Sequence, residues 1–435
     1  MHKNSTVNIG IIGLGYIGSE VFRLLCHQND YILKKIGRDL RIIIAAEKNT
    51  AIKKEFEKKY KSIRFTDDAG EVINNEGVDI VVELIGGLDP AYEYIIEALK
   101  KGKYVVTANK DLIAKRGAEI FAEAEKSSVD ILFEASVGGG IPIIGPLKSS
   151  LASNNISKVV GIVNGTTNFI LTKMKDEKLG FNEALKLAQK LGYAEANPEA
   201  DIEGIDAANK LAILSSIAFN SRVHYEDVYR EGIRKISISD INYADELGYI
   251  VKLLAIGSEQ EDKINVRVHP ALIPRSHILA SIKDNYNAVY FYGNYVGEVM
   301  SFGKGAGDKP TASSVVGDII SIARNYDRAN KKAIYGCTCF TEKPVIPFMD
   351  TYDKFYMLID VVDRAGVLAK IAKIFGDNAV SIQSMLQKQI DVKDTARLIF
   401  ITHSTLNKNL YESISQISEL DVVKKVLNII RVEEL

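Results

Sequence analysis

In the stretch GYAEANPEADIEGIDAANKLAILSSIAF, five acids, Glu195, Glu199, Asp201, Glu203 and Asp206, fall close together, and Lys210 follows Asp206 by four positions. On a helix that spacing puts carboxylate and ammonium on one face. An exposed pair of this kind is a surface ion pair worth only about 0.2–0.5 kcal/mol. The apolar run LAILSSIAF that follows implies buried surroundings, where paired charges need a reason. Carboxylates suit an α-ammonium, and a lysine exchanges protons with an alcohol or carbonyl oxygen. The segment therefore points to a zwitterionic small molecule and acid–base chemistry, with a helix-surface scaffold as the weaker reading.

A second group of residues suits a dinucleotide. Gly13, Gly15 and Gly18 form G-x-G-x-x-G, enclosing Tyr16 and Ile17, between a β-branched run and a helix-like SEVFRLL. In that context the glycines allow a tight turn, close approach of a pyrophosphate and close helix–strand packing. Glu47 ends the next apolar run, where an acid commonly meets the adenosine ribose, although the interval from Gly18 exceeds the usual spacing of about 20 residues. Lys48 beside it suits a ribose phosphate instead, so NAD and NADP both stay open, with a lean to NAD. Asn109 and Lys110 in VVTANK sit at the carboxyl end of a later strand, the ligand edge of open α/β sheets. Glu134 and the glycines at 138–140 either coordinate a cation through exposed carbonyls or simply turn the chain.

The elements that must position these groups follow from periodicity. Short continuous apolar runs, RIIIAAE, DIVVELIG, KYVVTANK and DILFEASVGGG, alternate with lysine-rich helical stretches, the pattern of parallel strands buried on both faces. The expected fold class is α/β: a Rossmann-type doubly wound domain over 1–135 with a return near 303–343, an α+β substrate and dimerisation domain over 136–302, and a βαββαβ unit over 352–435. The proline-bearing TEKPVIPFMD reads as a linker. A length of 435 residues accommodates these three domains. With 55 basic against 56 acidic residues, no overall field draws the chain to nucleic acid or anionic lipid. Cys26, Cys337 and Cys339 are too few for a disulfide framework, and no secretory leader or membrane span is evident, so a cytoplasmic protein is expected. Cys337 and Cys339 read as part of an apolar strand, and His269 and His277 as ordinary histidines.

Taken in order, GLGYIG, VVTANK, EASVGGGIPIIGPLK, VNGTTNFIL, GYAEANPEADIEGIDAANKLAIL and GKGAGDKPTASSVVGDI resemble the homoserine dehydrogenases over nearly the whole chain. The resemblance implies reversible hydride transfer between C4 of L-homoserine and NAD or NADP, with L-aspartate 4-semialdehyde as the aldehyde, in threonine, methionine and isoleucine biosynthesis. It implies that Lys210 moves the proton, that Asp206 orients it and binds substrate with Glu195, Tyr193 and Asp201, and that Lys110 is a second proton-transfer candidate. Gly305 corresponds to a glycine that closes on the cofactor, while Glu134, Val137, Gly139 and Ile141 match a loop holding sodium or potassium. The tail resembles an ACT domain, with Asp363, Arg364 and Gly366 leading into its first helix and Asn378 beyond it. This implies feedback by L-threonine, and the family implies a homodimer or homotetramer. Two other readings compete. A different semialdehyde dehydrogenase would need a mid-chain thiolate, and no cysteine lies between Cys26 and Cys337. A non-catalytic dinucleotide and amino-acid sensor would lack Lys210 or Asp206.

Overall fold

The computed structural model describes residues 6–327, 329–390 and 392–435, so the first five residues of the expected 1–135 domain lie outside it. The chain forms two compact units, one of residues 1–159, 212–225 and 288–343, the other of 160–211, 226–287 and 344–435.

The first unit is built on a six-stranded sheet of β1 (Thr6–Ile12), β2 (Asp39–Ala46), β3 (Arg64–Thr66), β4 (Ile80–Glu83), β5 (Tyr104–Thr107) and β6 (Ile131–Leu132), in spatial order β3-β2-β1-β4-β5-β6. Every pairing is parallel. Five helices alternate with these strands: α1 (Tyr16–Ile36), α2 (Thr50–Lys59), α3 (Ala69–Asn74), α4 (Ala91–Lys100) and α5 (Lys110–Lys126). Burial on both faces explains the unbroken apolar strands, with Ile9, Ile11, Val81 and Val105 fully inaccessible. Crossing from β1 to the β4 side reverses the strand order, which opens a crevice at the carboxyl ends of the strands. DILFEASVGGG yields only the two residues of β6 as strand. Glu134–Ser136 turns at once into a 3₁₀ segment, because Asp318 Oδ2 accepts the Glu134 N–H at 2.8 Å and draws the backbone out of the ladder.

In the second unit the strands Tyr249–Gln260 and Lys263–Pro274 form an antiparallel hairpin. Glu261 and Asp262 both take positive φ at its tip, 51° and 57°, the twist two-residue hairpin turns favour. The sheet continues through Val423–Val432, Tyr352–Val362, Thr395–Thr402 and Ile382–Gln389. With the helices Val367–Asp377 and Asn407–Ser418 this tail is the expected βαββαβ unit. Phe355, Met357, Ile371, Phe375, Phe400 and Leu410 form its core. Its last strand also pairs in parallel with the hairpin, Ala271 with Arg431 and Leu272 with Val432. Thus the tail and the hairpin share one sheet. No helix among the described residues is long and apolar enough to cross a membrane.

Candidate active site

The first unit supplies a phosphate cradle. A Cβ added to Gly18 would lie 2.0 Å from the Gly13 carbonyl oxygen, so only glycine lets α1 pack against the turn. Gly15 caps α1 without a side-chain bond, and the first turn carries no acid. The N–H groups of that turn and the helix dipole are thereby left for an anion. Tyr16 is exposed beside them. Glu47 stands at the end of β2, its carboxylate fixed by the N–H groups of Leu14 at 2.6 Å and Asn49 at 2.7 Å. Gly13, Gly15, Glu47, Lys48 and Pro90 line one cleft of about 400 Å³. These residues fit a dinucleotide.

Asn109 and Lys110 occupy the end of β5 and the start of α5. Asn109 caps α5 through Leu112 N–H at 3.1 Å and donates to the Gly87 carbonyl at 2.6 Å. Lys110 opens that helix, partly exposed. Glu83 went unremarked in the sequence. Fully buried at the end of β4, it accepts the Thr107 hydroxyl at 2.6 Å and the N–H groups of Ile85 and Gly86 at 2.8 and 3.1 Å. It therefore ties the ends of two strands to the loop they share.

Glu134 carries its carboxylate to the N–H groups of Ile143, Ile144 and Gly145 at 2.6, 2.8 and 2.6 Å. Those three N–H groups take most of the carboxylate's accepting capacity, so a cation at this loop would draw mainly on main-chain oxygens. A Cβ on Gly139 would come within 2.5 Å of the Gly305 carbonyl oxygen, and Gly140 N–H reaches the Lys304 carbonyl at 3.2 Å. Gly139 and Gly305 are thus brought together, while Val137 N–H turns back to the Glu134 carbonyl and Ile141 N–H to that of Gly138 within the same loop. Among the described residues no cluster of three or more His, Cys, Asp or Glu is arranged to hold a metal.

The second unit gathers the acid–base group. Lys210 and Asp206 lie one turn apart on the helix Ile205–Ala218. Their side chains are 12% and 10% exposed, and Lys210 Nζ meets Asp206 Oδ2 at 2.6 Å. The same ammonium donates to the Val163 carbonyl at 2.8 Å. Of its three donors, two are directed by the protein, and a third is available to a ligand oxygen. Asn164, which the sequence reading did not single out, caps the helix Gly165–Asp176 with its carbonyl. Its amide donates to Asp201 at 2.7 Å and Asp206 at 2.9 Å. One amide thereby holds two carboxylates at a fixed separation.

The five acids do not form one pocket. Glu203 pairs with Arg234 at 2.6 Å and Glu199 approaches it at 4.0 Å, which draws both to a surface cation. Glu195 is exposed, its carbonyl accepting from Gln189 at 3.1 Å. Tyr193, 41% exposed, packs on Phe169 with ring centres 4.9 Å apart, and its carbonyl accepts the Thr166 hydroxyl at 2.6 Å.

Burial raises the Asp201 carboxyl above its ordinary range; the Asn164 hydrogen bond opposes this and the Asp206 charge adds to it. The folded chain therefore holds this proton more tightly than the unfolded chain. Stability from this group falls as pH rises from about 3.9 through the folded value. Asp201→Asn is expected to raise the thermal midpoint near neutral pH, with the gain vanishing in acid. Melting curves at several pH values check this, and a variant no more stable than wild type at neutral pH would contradict it.

In the tail, Asp363, Arg364, Ala365, Gly366, Gln387 and Leu398 line a cleft of about 290 Å³. The helix Val367–Asp377 opens on it with no side-chain cap and no acid in its first turn. Asn378 is elsewhere. It caps the far end of that helix, donating to Ile374 at 2.9 Å and Gln416 at 3.1 Å, about 16 Å along the axis at 1.5 Å per residue.

Among the described residues no histidine joins a group of three or more possible metal ligands, yet His269 is more than ordinary. Fully buried, it accepts from Arg267 Nε at 3.1 Å and contacts the Pro270 carbonyl at 2.9 Å. Burial, with the nearby Arg431 and Arg267 charges, keeps it neutral.

Comparison with known proteins agrees with this geometry. Residues 13–134 match the homoserine dehydrogenase NAD-binding domain, 142–320 the homoserine dehydrogenase family, and 355–422 the ACT domain. The homoserine dehydrogenase of Corynebacterium glutamicum is 43% identical over 99% of this chain and 96% of its own length. The structure of a homoserine dehydrogenase from Thiobacillus denitrificans superposes with a TM-score of 0.92 at 40% identity, covering 100% of this chain and 99% of that one. A hyperthermophilic archaeal homoserine dehydrogenase in complex with NADPH covers 74% of this chain and matches over 99% of its own, with a TM-score of 0.63 at 28% identity. The chain belongs to the homoserine dehydrogenase family of NAD(P)-dependent oxidoreductases, in the form that carries a C-terminal ACT domain.

Proposed function

We propose that this chain interconverts L-homoserine and L-aspartate 4-semialdehyde with NAD preferred to NADP, and that L-threonine at the ACT domain restrains it. The observation that carries the reading is the fixed Lys210–Asp206 pair, anchored by Val163 and Asn164 inside family segments. A bound nicotinamide supplies the acceptor or donor of the C4 hydride. After losing a proton to solvent, Lys210 as the neutral amine takes the hydroxyl proton during oxidation, and as the ammonium it gives a proton to the carbonyl oxygen during reduction. Asp206 holds the amine in place and, with Asp201, Glu195 and Tyr193, receives the substrate's ammonium end. Lys110 is the second proton-transfer candidate. Main-chain oxygens of Glu134, Val137, Gly139 and Ile141 would hold sodium or potassium, with Gly305 closing on the cofactor.

The functional parts in this reading are 1–135 with 303–343 for cofactor, 136–302 for substrate and dimerisation, and 352–435 for regulation. The grouping of residues 288–343 with 1–159 supports a discontinuous cofactor part. The protein acts in the cytoplasm as a homodimer or homotetramer on a small-molecule substrate, apart from nucleic acid and membranes. The NAD preference rests on Glu47, whose carboxylate receives ribose hydroxyls and repels a 2′-phosphate, against Lys48.

One assay series tests this. Purified chain with L-homoserine should reduce either nicotinamide, with kcat/KM at least about tenfold higher for NAD, equivalent to about 1.4 kcal/mol. L-Threonine should slow the reaction, and Arg364→Ala should raise the concentration needed. No reduction with either cofactor would refute the activity, a preference for NADP would refute the Glu47 role, and equal threonine response in the variant would refute the loop as sensor.

A further inference from the structure

The first unit holds a second group of reactive side chains that the reaction above does not use. YGCTCF, expected as a strand, has no regular structure between Gly336 and Phe340. Asp130 Oδ2 accepts the N–H groups of Ile334, Tyr335 and Gly336 at 2.9, 2.8 and 3.1 Å, which pulls these donors away from any sheet. Lys148 Nζ donates to the Gly336 carbonyl at 2.8 Å. The clamp fixes the chain immediately before Cys337-Thr338-Cys339.

Arg222 Nη2 points at Cys337 Sγ from 3.5 Å, and Cys339 Sγ lies 3.7 Å from the Ser216 carbonyl. Both thiols are half-buried beside a small cavity shared with Lys148, Arg222, Phe121 and Phe133. The Lys148 ammonium sits over Phe121 and Phe133, 5.3 and 5.0 Å from the ring centres, and the Arg222 guanidinium lies 5.5 Å from that of Phe121. A thiol beside two held cations, at the edge of an apolar wall and still reachable, is the setting of a reactive cysteine. Hydrogen bonding from the Cys339 side chain holds the Cys337 thiol well below the ordinary cysteine range and so favours its thiolate; burial opposes this, and the Cys339 N–H, Arg222 and Lys148 add to the lowering. The same pairing raises Cys339. Asp130 faces this group from its backbone clamp, and Glu134 and Asp318 share a second small cavity with Lys148. Cys26, by contrast, is raised by burial.

We propose that Cys337 and Cys339 are a redox-sensitive dithiol, with Cys337 as attacking thiolate and Cys339 as resolving thiol, and a small-molecule disulfide as the oxidant. The Cys337 thiolate attacks one sulfur of the external disulfide; that S–S bond breaks, and one thiolate leaves with the electron pair and takes a proton from solvent. Cys339 then loses its proton to solvent, attacks Cys337 Sγ and expels the second thiolate. The two cysteines are oxidised by two electrons, and one external disulfide becomes two thiols. Residues two apart in sequence are separated by at most about 7 Å of extended chain, against about 4.4–6.8 Å between the Cα atoms of a disulfide. The irregular segment permits closure without breaking a strand. A bond across so short a loop is of the labile, readily reduced kind.

The test uses full-length Cys26→Ser protein and the aromatic disulfide 5,5′-dithiobis(2-nitrobenzoate), below neutral pH. Release of two coloured thiolates per chain, with no label retained and a mass lower by two hydrogens, is expected. Adding Cys339→Ser should give one thiolate and a stable mixed disulfide at Cys337, while Cys337→Ser should slow the reaction at least about tenfold. Two retained labels, or a Cys337→Ser variant reacting as fast as its parent, would overturn the proposal. Arg222→Gln should slow the first step with unchanged stoichiometry; an unchanged rate would remove the guanidinium from the explanation and overturn the assigned cause.

Discussion

Lys210→Ala is expected to lower kcat about 10²–10⁴-fold, with far smaller changes in cofactor affinity. The side chain is not a loose surface cation: the Val163 carbonyl and Asp206 hold its nitrogen at 2.8 and 2.6 Å. A group held in this way reaches the reacting oxygen at almost no orientational cost. Lys210→Arg separates proton transfer from charge, because a guanidinium keeps the positive charge and does not give up its proton. Arginine should therefore leave turnover nearly as low as alanine does, whereas a purely electrostatic role would be substantially rescued. Steady-state kinetics of both variants across pH decide this. Wild-type turnover in Lys210→Ala would move the proton-transfer assignment to Lys110.

The second large effect concerns stability. Arg431→Met should destabilise the fold by about 3–5 kcal/mol, the cost of stranding the partners of a buried ion. Arg431 is 1% exposed on the last strand. Its guanidinium meets Glu231 at 2.8 Å and the hydroxyls of Tyr229 and Tyr411 at 3.2 and 3.1 Å. It also lies over Phe348, 4.6 Å from the ring centre. Nearby, Arg267 pairs with Glu433 at 2.8 Å and Asp353 at 3.1 Å. Denaturant midpoints for wild type, Arg431→Met and Arg431→Lys check the size; a methionine variant as stable as wild type would show that these contacts carry no net stability. The same network explains why removing residues 352–435 is a poor test of regulation. It would take away both acids of Arg267 and the strand paired with Ala271 and Leu272. Loop substitutions such as Arg364→Ala leave that seam intact.

What could be read before folding was local. The glycine turn lies within six residues and its strand and helix flank it, so its context was visible in the chain itself. Asp206 and Lys210 were legible because four positions make one helical turn. Asn164 was not, since it reaches 37 and 42 residues ahead to Asp201 and Asp206, and asparagine in a turn carries no mark of such a task. Glu83 was hidden for the same reason, looking like a polar end to an apolar strand. The acids from Glu195 to Asp206 looked like one pocket, but Arg234, outside that window, claims two of them. YGCTCF resembled a strand because its composition is apolar and aromatic; Asp130, about 200 residues earlier, binds the backbone that a sheet would have used.

The place of the strand Val423–Val432, between Lys263–Pro274 and Tyr352–Val362, has a bearing on biogenesis. During synthesis the hairpin emerges with one border incomplete and waits for a partner encoded far downstream. Bringing such distant segments together makes folding slow, and the unfinished border is exposed to other nascent chains in the meantime. Ordered maturation of the second unit therefore depends on elongation running through the tail before the hairpin finds a wrong neighbour, and chaperone demand should be greatest in that interval.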